Sequence, residues 1–138
     1  MTPEAGDYLA KAREELAEAG AIMGIGLAKA AARGAYYAAF HASEALLVAR
    51  TGRIAKTHTG VRAALAQLLR GPPPSDRDLL TFLTRAYKYK EIGDYGVGPG
   101  IAITIGDAEA LLAGADRFIA RVTALLEADP AGSRPEPD

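Results

Sequence analysis

The chain has 138 residues, 16 Lys and Arg against 17 Asp and Glu, and no cysteine. This length suits one domain with a buried core, and we expect a helical domain over residues 1–128 and a flexible proline-rich tail over 129–138. The lack of cysteine excludes disulfides and a cysteine nucleophile, and it fits a reducing cytoplasm. No apolar run approaches the ~20 residues of a membrane-spanning helix, and the acidic N-terminus does not resemble a signal peptide. We therefore expect a cytoplasmic protein without a membrane partner.

Alanine and leucine at helical spacing predict an all-α fold. The expected architecture is an up-and-down antiparallel bundle of four long helices plus one short helix. Its helices are predicted at about Pro3–Met23, Leu27–Arg50, Thr59–Leu69 (the short one), Ser75–Ile92 and Thr104–Glu127.

Helix ends are predicted from capping residues. Ser75 with Asp78, and Thr104 with Asp107, have the spacing of a capping box. Between the last two helices, residues 93–104 contain four glycines and a proline, which favours an ordered loop with a short extended piece at 101–103.

The second predicted helix lacks the broad charged face of a surface helix. One stripe is aromatic and apolar, with Tyr36 and Phe40, and a second is almost entirely alanine. The third is a narrow polar row of Arg33, Tyr37, His41 and Glu44. A structural interpretation has Arg33 paired with an acid and His41 bonded to a carbonyl, whereas a functional one makes them a phosphate clamp and a base.

Two further polar clusters follow along the chain. At Lys56-Thr-His58-Thr-Gly60, a threonine can cap the third helix, and Lys56 and His58 then stand beside its N-terminus, where an anion could bind. At the end of the fourth helix, Lys90 precedes Asp94, which could fold back onto the helix, and an exposed Tyr95.

Charge is distributed unevenly. Residues 50–90 contain nine basic and two acidic residues, a net +7, so the remainder carries −8. This pattern fits either an ordinary solvated surface or a basic face for phosphate, nucleic acid or an acidic partner.

No metal or cofactor is expected. The chain has no phosphate-binding loop, no dinucleotide fingerprint and no His-Glu-x-x-His pair. Two histidines without cysteine are too few for a structural zinc site.

Taken together, the motifs Arg33-x-x-Tyr-Tyr-Ala-x-Phe-His-Ala42, Lys56-Thr-His-x-Gly60 and Gly-Asp-Tyr95 resemble the HEPN domain family. The resemblance is to its small stand-alone prokaryotic branch and covers about residues 5–126. It implies a five-helix bundle, a homodimer, and a minimal nucleotidyltransferase as partner in a toxin–antitoxin or defence pair. It also implies that a nucleotide or RNA contacts Arg33, Tyr37, His41, Lys56, His58, Lys90, Asp94 and Tyr95.

Several branches of this family are metal-independent ribonucleases that use an arginine, four to six further residues and a histidine. Arg33 and His41 are separated by seven residues and lie on the wrong helix, and the segment from Lys90 to Tyr95 has no histidine. Catalysis would therefore need His41 or His58, together with Arg33. The leading hypothesis is a binding module, and the alternatives are a ribonuclease toxin and a non-catalytic structural dimer.

Overall fold

A computed structural model describes residues 1–71 and 74–129, and within them the fold is all-helical with no strand. Four α-helices have 19 to 24 residues and one has 11. Their bounds are α1 Pro3–Gly24, α2 Ala28–Thr51, α3 His58–Leu68, α4 Arg77–Tyr95 and α5 Ile105–Glu127. Short 3-10 turns at Pro74–Asp76 and Pro99–Ile101 precede α4 and α5.

Capping explains where three of these helices begin or end. Thr104 and Asp107 form the predicted capping box at the start of α5. The Thr57 hydroxyl accepts a hydrogen bond from the Gly60 N–H and starts α3. Gly52, at a φ of 71°, ends α2 in the left-handed conformation that glycine tolerates best.

Both ends of α4 differ from the prediction. The helix begins at Arg77 with Asp76 as its N-cap residue rather than at Ser75, whose side chain lies outside the described part of the chain. At the other end, α4 continues through Gly93 to Tyr95 rather than ending at Ile92. Lys90 pairs with Asp94 one turn on and so supports the added turn.

The connection after α4 also differs from the prediction. Ile101 closes a 3-10 turn, and the chain then runs extended from Ala102 to the cap at Thr104 without pairing as a strand. The prolines at 72 and 73 and the tail from residue 130 lie outside the described residues.

Helix α2 is the centre of the molecule, because it packs against each of the other four α-helices. Its alanine face, which includes Ala35, Ala38 and Ala42, is fully buried within the single chain. Alanines of α1 face it at close range, and a Cβ added to Gly34 would lie 2.7 Å from the Cβ of Ala19. The alanine face therefore needs no second protomer to cover it.

The start of α2 lies beside the end of α4. A Cβ added to Gly93 would lie 3.0 Å from Lys29 and 3.1 Å from Ile103. The polar row of α2 thus lies next to α4, while α3 contacts both helices. No described helix is long and apolar enough to cross a membrane.

Candidate functional site

His58 lies at the first position of α3 and is bound to a buried tyrosine of α2. The Tyr36 hydroxyl is 2.6 Å from His58 Nδ1, and Tyr36 is fully buried. Burial raises the pKa of Tyr36 well above its usual range, so the phenol keeps its proton. A buried hydroxyl needs an acceptor, and His58 is the one within reach among the described residues. Tyr36 therefore donates to Nδ1, which leaves the proton of the neutral imidazole on Nε2.

Four aromatic rings surround the imidazole, and we call this group the His58 cluster. The distances from the His58 ring centroid are 5.0 Å to Phe40, 5.5 Å to Tyr36, 5.6 Å to Tyr87 and 5.9 Å to Tyr37. Phe40 and Tyr36 are buried, whereas Tyr37, Tyr87 and His58 keep partly exposed edges. The cluster is thus anchored in the core and open on one side.

Burial lowers the pKa of His58, and the nearby charge of Lys90 lowers it further. Arg62 and Arg33 act in the same direction, while Glu91 opposes them. The imidazole is therefore neutral at pH 7. In this state Nε2 can donate a hydrogen bond, but Nδ1 is occupied.

Lys90, in the last turns of α4, is a buried cation with only 8% of its surface exposed. Its Nζ lies 3.0 Å from Asp94 Oδ2, and the Arg33 Nε lies 3.4 Å from the other oxygen of Asp94. The hydrogen bond to Lys90 lowers the pKa of Asp94, and the same bond raises the pKa of Lys90. Asp94 therefore ties α2 to α4 and neutralises much of the charge of both bases.

Tyr87, on α4, carries a cation on its ring and a carboxylate at its hydroxyl. The guanidinium of Arg62 lies 4.1 Å from the ring centroid, within the range of a cation–π interaction. The Tyr87 hydroxyl donates to Glu91 Oε1 at 2.6 Å, and this bond raises the pKa of Tyr87. Two buried atoms beside it, Arg62 Nε and Glu91 Oε2, have no hydrogen-bond partner among the described residues.

His41 is not bonded to His58, although its ring packs against Phe40 and Tyr37 of the His58 cluster. Its Nδ1 is 2.6 Å from Glu44 Oε1, one turn along α2, and its ring is 6.3 Å from that of Tyr37. The expectation that His41 bonds a carbonyl is therefore wrong, because a carboxylate takes that place. Because Glu44 holds Nδ1, His41 is a poor partner for chemistry at His58.

The structure brings most of the predicted ligand-binding residues together, but not all of them. Arg33, Tyr37, His58, Lys90 and Asp94 converge between α2, α3 and α4. Lys56 is exposed and forms no ion pair within the described part of the chain, and Tyr95 is 74% exposed.

Three contributors were not predicted as site residues: Arg62, Tyr87 and Glu91. A signal for them exists in the sequence, since Arg62 follows His58 by four residues and Glu91 follows Tyr87 by four. Residues at this spacing lie on one helical face.

The site combines aromatic rings, one imidazole N–H donor and several cations. Aromatic rings can bind a planar group, and the cations and the N–H donor can bind an anion. Within residues 1–71 and 74–129, no three His, Asp or Glu side chains come together as they would to hold a metal ion.

No curated protein shows significant sequence similarity to the chain. The family model of the HEPN domain, in contrast, matches residues 5–125, which is nearly all of the helical region described above. The chain therefore belongs to the HEPN domain family.

Proposed function

We propose that this chain is a HEPN-type binding module that contacts a nucleotide or RNA at the His58 cluster. The observation that carries the proposal is a set of aromatic rings, partly buried and partly exposed, with cationic side chains around it. Bases stack on aromatic side chains with about 1–3 kcal/mol per base, and nearby cations attract the phosphates. In the same proposal, the described helices form an up-and-down bundle. The ligand site then lies between α2, α3 and α4.

Binding is tested with a fluorescently labelled single-stranded RNA at increasing salt concentrations. We expect affinity to fall steeply with salt, because phosphate contacts release counterions. His58→Ala should weaken binding, whereas His41→Ala, which alters a histidine outside the cluster, should leave it unchanged. Equal affinity for all three proteins would place any RNA contact elsewhere, and an absence of binding would refute the proposal.

We propose a nucleotidyltransferase as the protein partner, in a toxin–antitoxin or defence pair. The support is family membership together with the resemblance of the three motifs to the stand-alone branch. The test is whether a neighbouring gene encodes such an enzyme and whether the two proteins purify together as a complex. Failure to co-purify at micromolar concentration would remove this part of the proposal.

We also propose a homodimer, supported by an apolar surface at one end of the molecule. Six large apolar side chains there are at least two-fifths exposed: Ile25, Leu27, Tyr95, Val97, Ile101 and Ile105. They lie on the α1–α2 connection and between the end of α4 and the start of α5. The start of α2 lies beside the end of α4, which brings these two segments to the same end of the molecule. Exposed apolar side chains at one end of a molecule are a candidate surface for contact with another protein.

The dimer is tested by measuring mass in solution. Val97→Asp places a charge within this apolar surface and should give a monomer. Ile54→Asp is the matched control, since Ile54 is 48% exposed on the α2–α3 connection. A wild-type monomer at high concentration, or a dimer that Val97→Asp leaves intact, would contradict the assignment.

A metal-independent ribonuclease is the second candidate, and the neutral imidazole of His58 is the observation that favours it. The pKa of His58 is lowered, and its side chain is only partly buried. For Nε2 to act as a base, however, the tautomer must change and Tyr36 must give up its acceptor. We therefore expect no cleavage of RNA by wild-type protein in the presence of a chelator. Cleavage that His58→Ala abolishes and His41→Ala preserves would establish the nuclease instead.

A further inference from the structure

We infer that Arg62 is the residue that binds the phosphate group of the ligand, with His58 Nε2–H as the second donor. The inference rests on the proposed function, and it assigns the anion to one side chain on α3. The ligand chemistry is a phosphate oxygen, which either a free nucleotide or the RNA backbone can supply.

The cations around the His58 cluster differ in whether they are already paired with a carboxylate. Arg33 and Lys90 are both paired with Asp94, at 3.4 and 3.0 Å. Arg62 forms no ion pair with any carboxylate in the described residues, and its buried Nε lacks a hydrogen-bond partner. Binding an anion through Arg33 or Lys90 would compete with an existing pair, whereas Arg62 can bind one without breaking any ion pair.

Arg62 also lies close to His58 and to Tyr87. Thr57 caps α3 and fixes its start, so His58 and Arg62, four residues apart, lie on the same helical face. Both face Tyr87, with the His58 ring centroid at 5.6 Å and the Arg62 guanidinium at 4.1 Å. The imidazole of His58 and the guanidinium of Arg62 thus both lie beside the partly exposed ring of Tyr87.

The cation–π contact with Tyr87 also restrains the Arg62 guanidinium before a ligand arrives. A guanidinium is planar and can donate two parallel N–H bonds to phosphate oxygens. A lysine at this position would supply the charge without this geometry.

The negative charge of Glu91 raises the pKa of His58, opposite to the effect of the cations Lys90, Arg62 and Arg33. Glu91 Oε1 accepts a hydrogen bond from the Tyr87 hydroxyl, and Glu91 Oε2, 3.9 Å from Lys90 Nζ, has no hydrogen-bond partner among the described residues. A phosphate bound at Arg62 would be repelled by this carboxylate. Removing the charge of Arg62 should therefore lower the affinity for the ligand, and removing the charge of Glu91 should raise it.

The experiment measures the affinity of four folded variants for two probes, adenosine 5′-monophosphate and a single-stranded RNA oligonucleotide. Arg62→Gln should weaken binding about tenfold or more, because it removes charge-assisted hydrogen bonds, and Arg62→Lys should restore part of the loss. Glu91→Gln should strengthen binding about two- to fivefold. Arg70→Gln, an equal change of charge at an exposed position of the same basic segment, should have little effect.

The two probes distinguish the sources of phosphate. If Arg62→Gln weakens binding of the nucleotide, Arg62 binds a terminal phosphate. If it weakens binding of the RNA alone, Arg62 binds the RNA backbone. In that case the slope of log affinity against log salt concentration should fall by about one for Arg62→Gln. If wild-type protein binds either probe and Arg62→Gln binds it as well as Arg70→Gln does, this assignment is wrong while the proposed function stands. If wild-type protein binds neither probe, both are overturned.

Discussion

Replacing Tyr36 by phenylalanine removes one hydroxyl group from the centre of the site and leaves its ring in place. The hydroxyl is 2.6 Å from His58 Nδ1 and belongs to a fully buried side chain. Without it, Nδ1 loses its donor, and a polar atom left unpaired in a partly buried place costs about 1–3 kcal/mol. The contacts of the ring with Phe40 and Tyr87 are retained. We therefore expect Tyr36→Phe to lower the free energy of unfolding by about 1–3 kcal/mol, measured by urea denaturation at pH 7.

The same variant should change the titration of His58. A hydrogen bond donated to Nδ1 favours the neutral imidazole, so its loss should raise the pKa of His58 toward 6.5. Nuclear magnetic resonance of the ring protons would follow this directly. Tyr95→Phe is the control, because Tyr95 is exposed and forms no side-chain hydrogen bond with the described residues, and it should stay within about 0.5 kcal/mol of wild type. If Tyr36→Phe matched Tyr95→Phe in both stability and titration, the Tyr36–His58 bond would not exist as described.

Three further predictions concern the core and pH. Phe40→Ala should cost about 3–5 kcal/mol of unfolding free energy, since Phe40 is only 8% exposed, and a near-zero loss in calorimetry would contradict its burial. Ala38→Leu should cost about 1–3 kcal/mol through overpacking against the neighbouring helices, and an unaltered melting temperature would mean that this face is loosely packed. The pKa of His58 is lower in the folded than in the unfolded chain, so the unfolded chain takes up a proton first as the pH falls. The free energy of unfolding should therefore be highest above about pH 6.5 and decline as the pH falls toward the folded-state pKa. His58→Gln should remove this part of the pH dependence, and an identical stability–pH curve for that variant would show that His58 is not the group responsible.

Much of the fold follows from local signals in the sequence. The spacing of apolar residues and the Thr104–Asp107 box are properties of one helix at a time, and the helices begin and end close to where these signals place them. The end of α4 was missed for a different reason. Gly93 suggests a break by its intrinsic propensity, but Lys29 and Ile103 pack against it so closely that a Cβ would crowd both. The Lys90–Asp94 pair then adds support that no local propensity contains.

The candidate site was only partly predictable, because its contacts join residues far apart in the chain. The polar row of α2 and the motif around His58 indicated side chains that needed partners, but not which ones. Tyr36 lies on the apolar stripe of α2, and in the structure it is both a core residue and the hydrogen-bond donor to His58. Arg62 resembles an ordinary surface arginine in the sequence, and its importance appears only when α3 is placed against Tyr87. Lys56 is a cation close to His58 in the sequence, yet its side chain is exposed and lies outside the cluster.

The most direct test of the central claim is a titration of the two histidine ring signals with a single-stranded RNA oligonucleotide, followed by nuclear magnetic resonance. The chain has two histidines, and His41, whose Nδ1 is held by Glu44, serves as an internal reference. We predict that the His58 signal shifts in a saturable manner and that the shift is lost at high salt, while the His41 signal stays in place. An unmoved His58 signal at RNA concentrations that saturate binding, or a shift of His41 alone, would contradict the assignment of the His58 cluster as the ligand site.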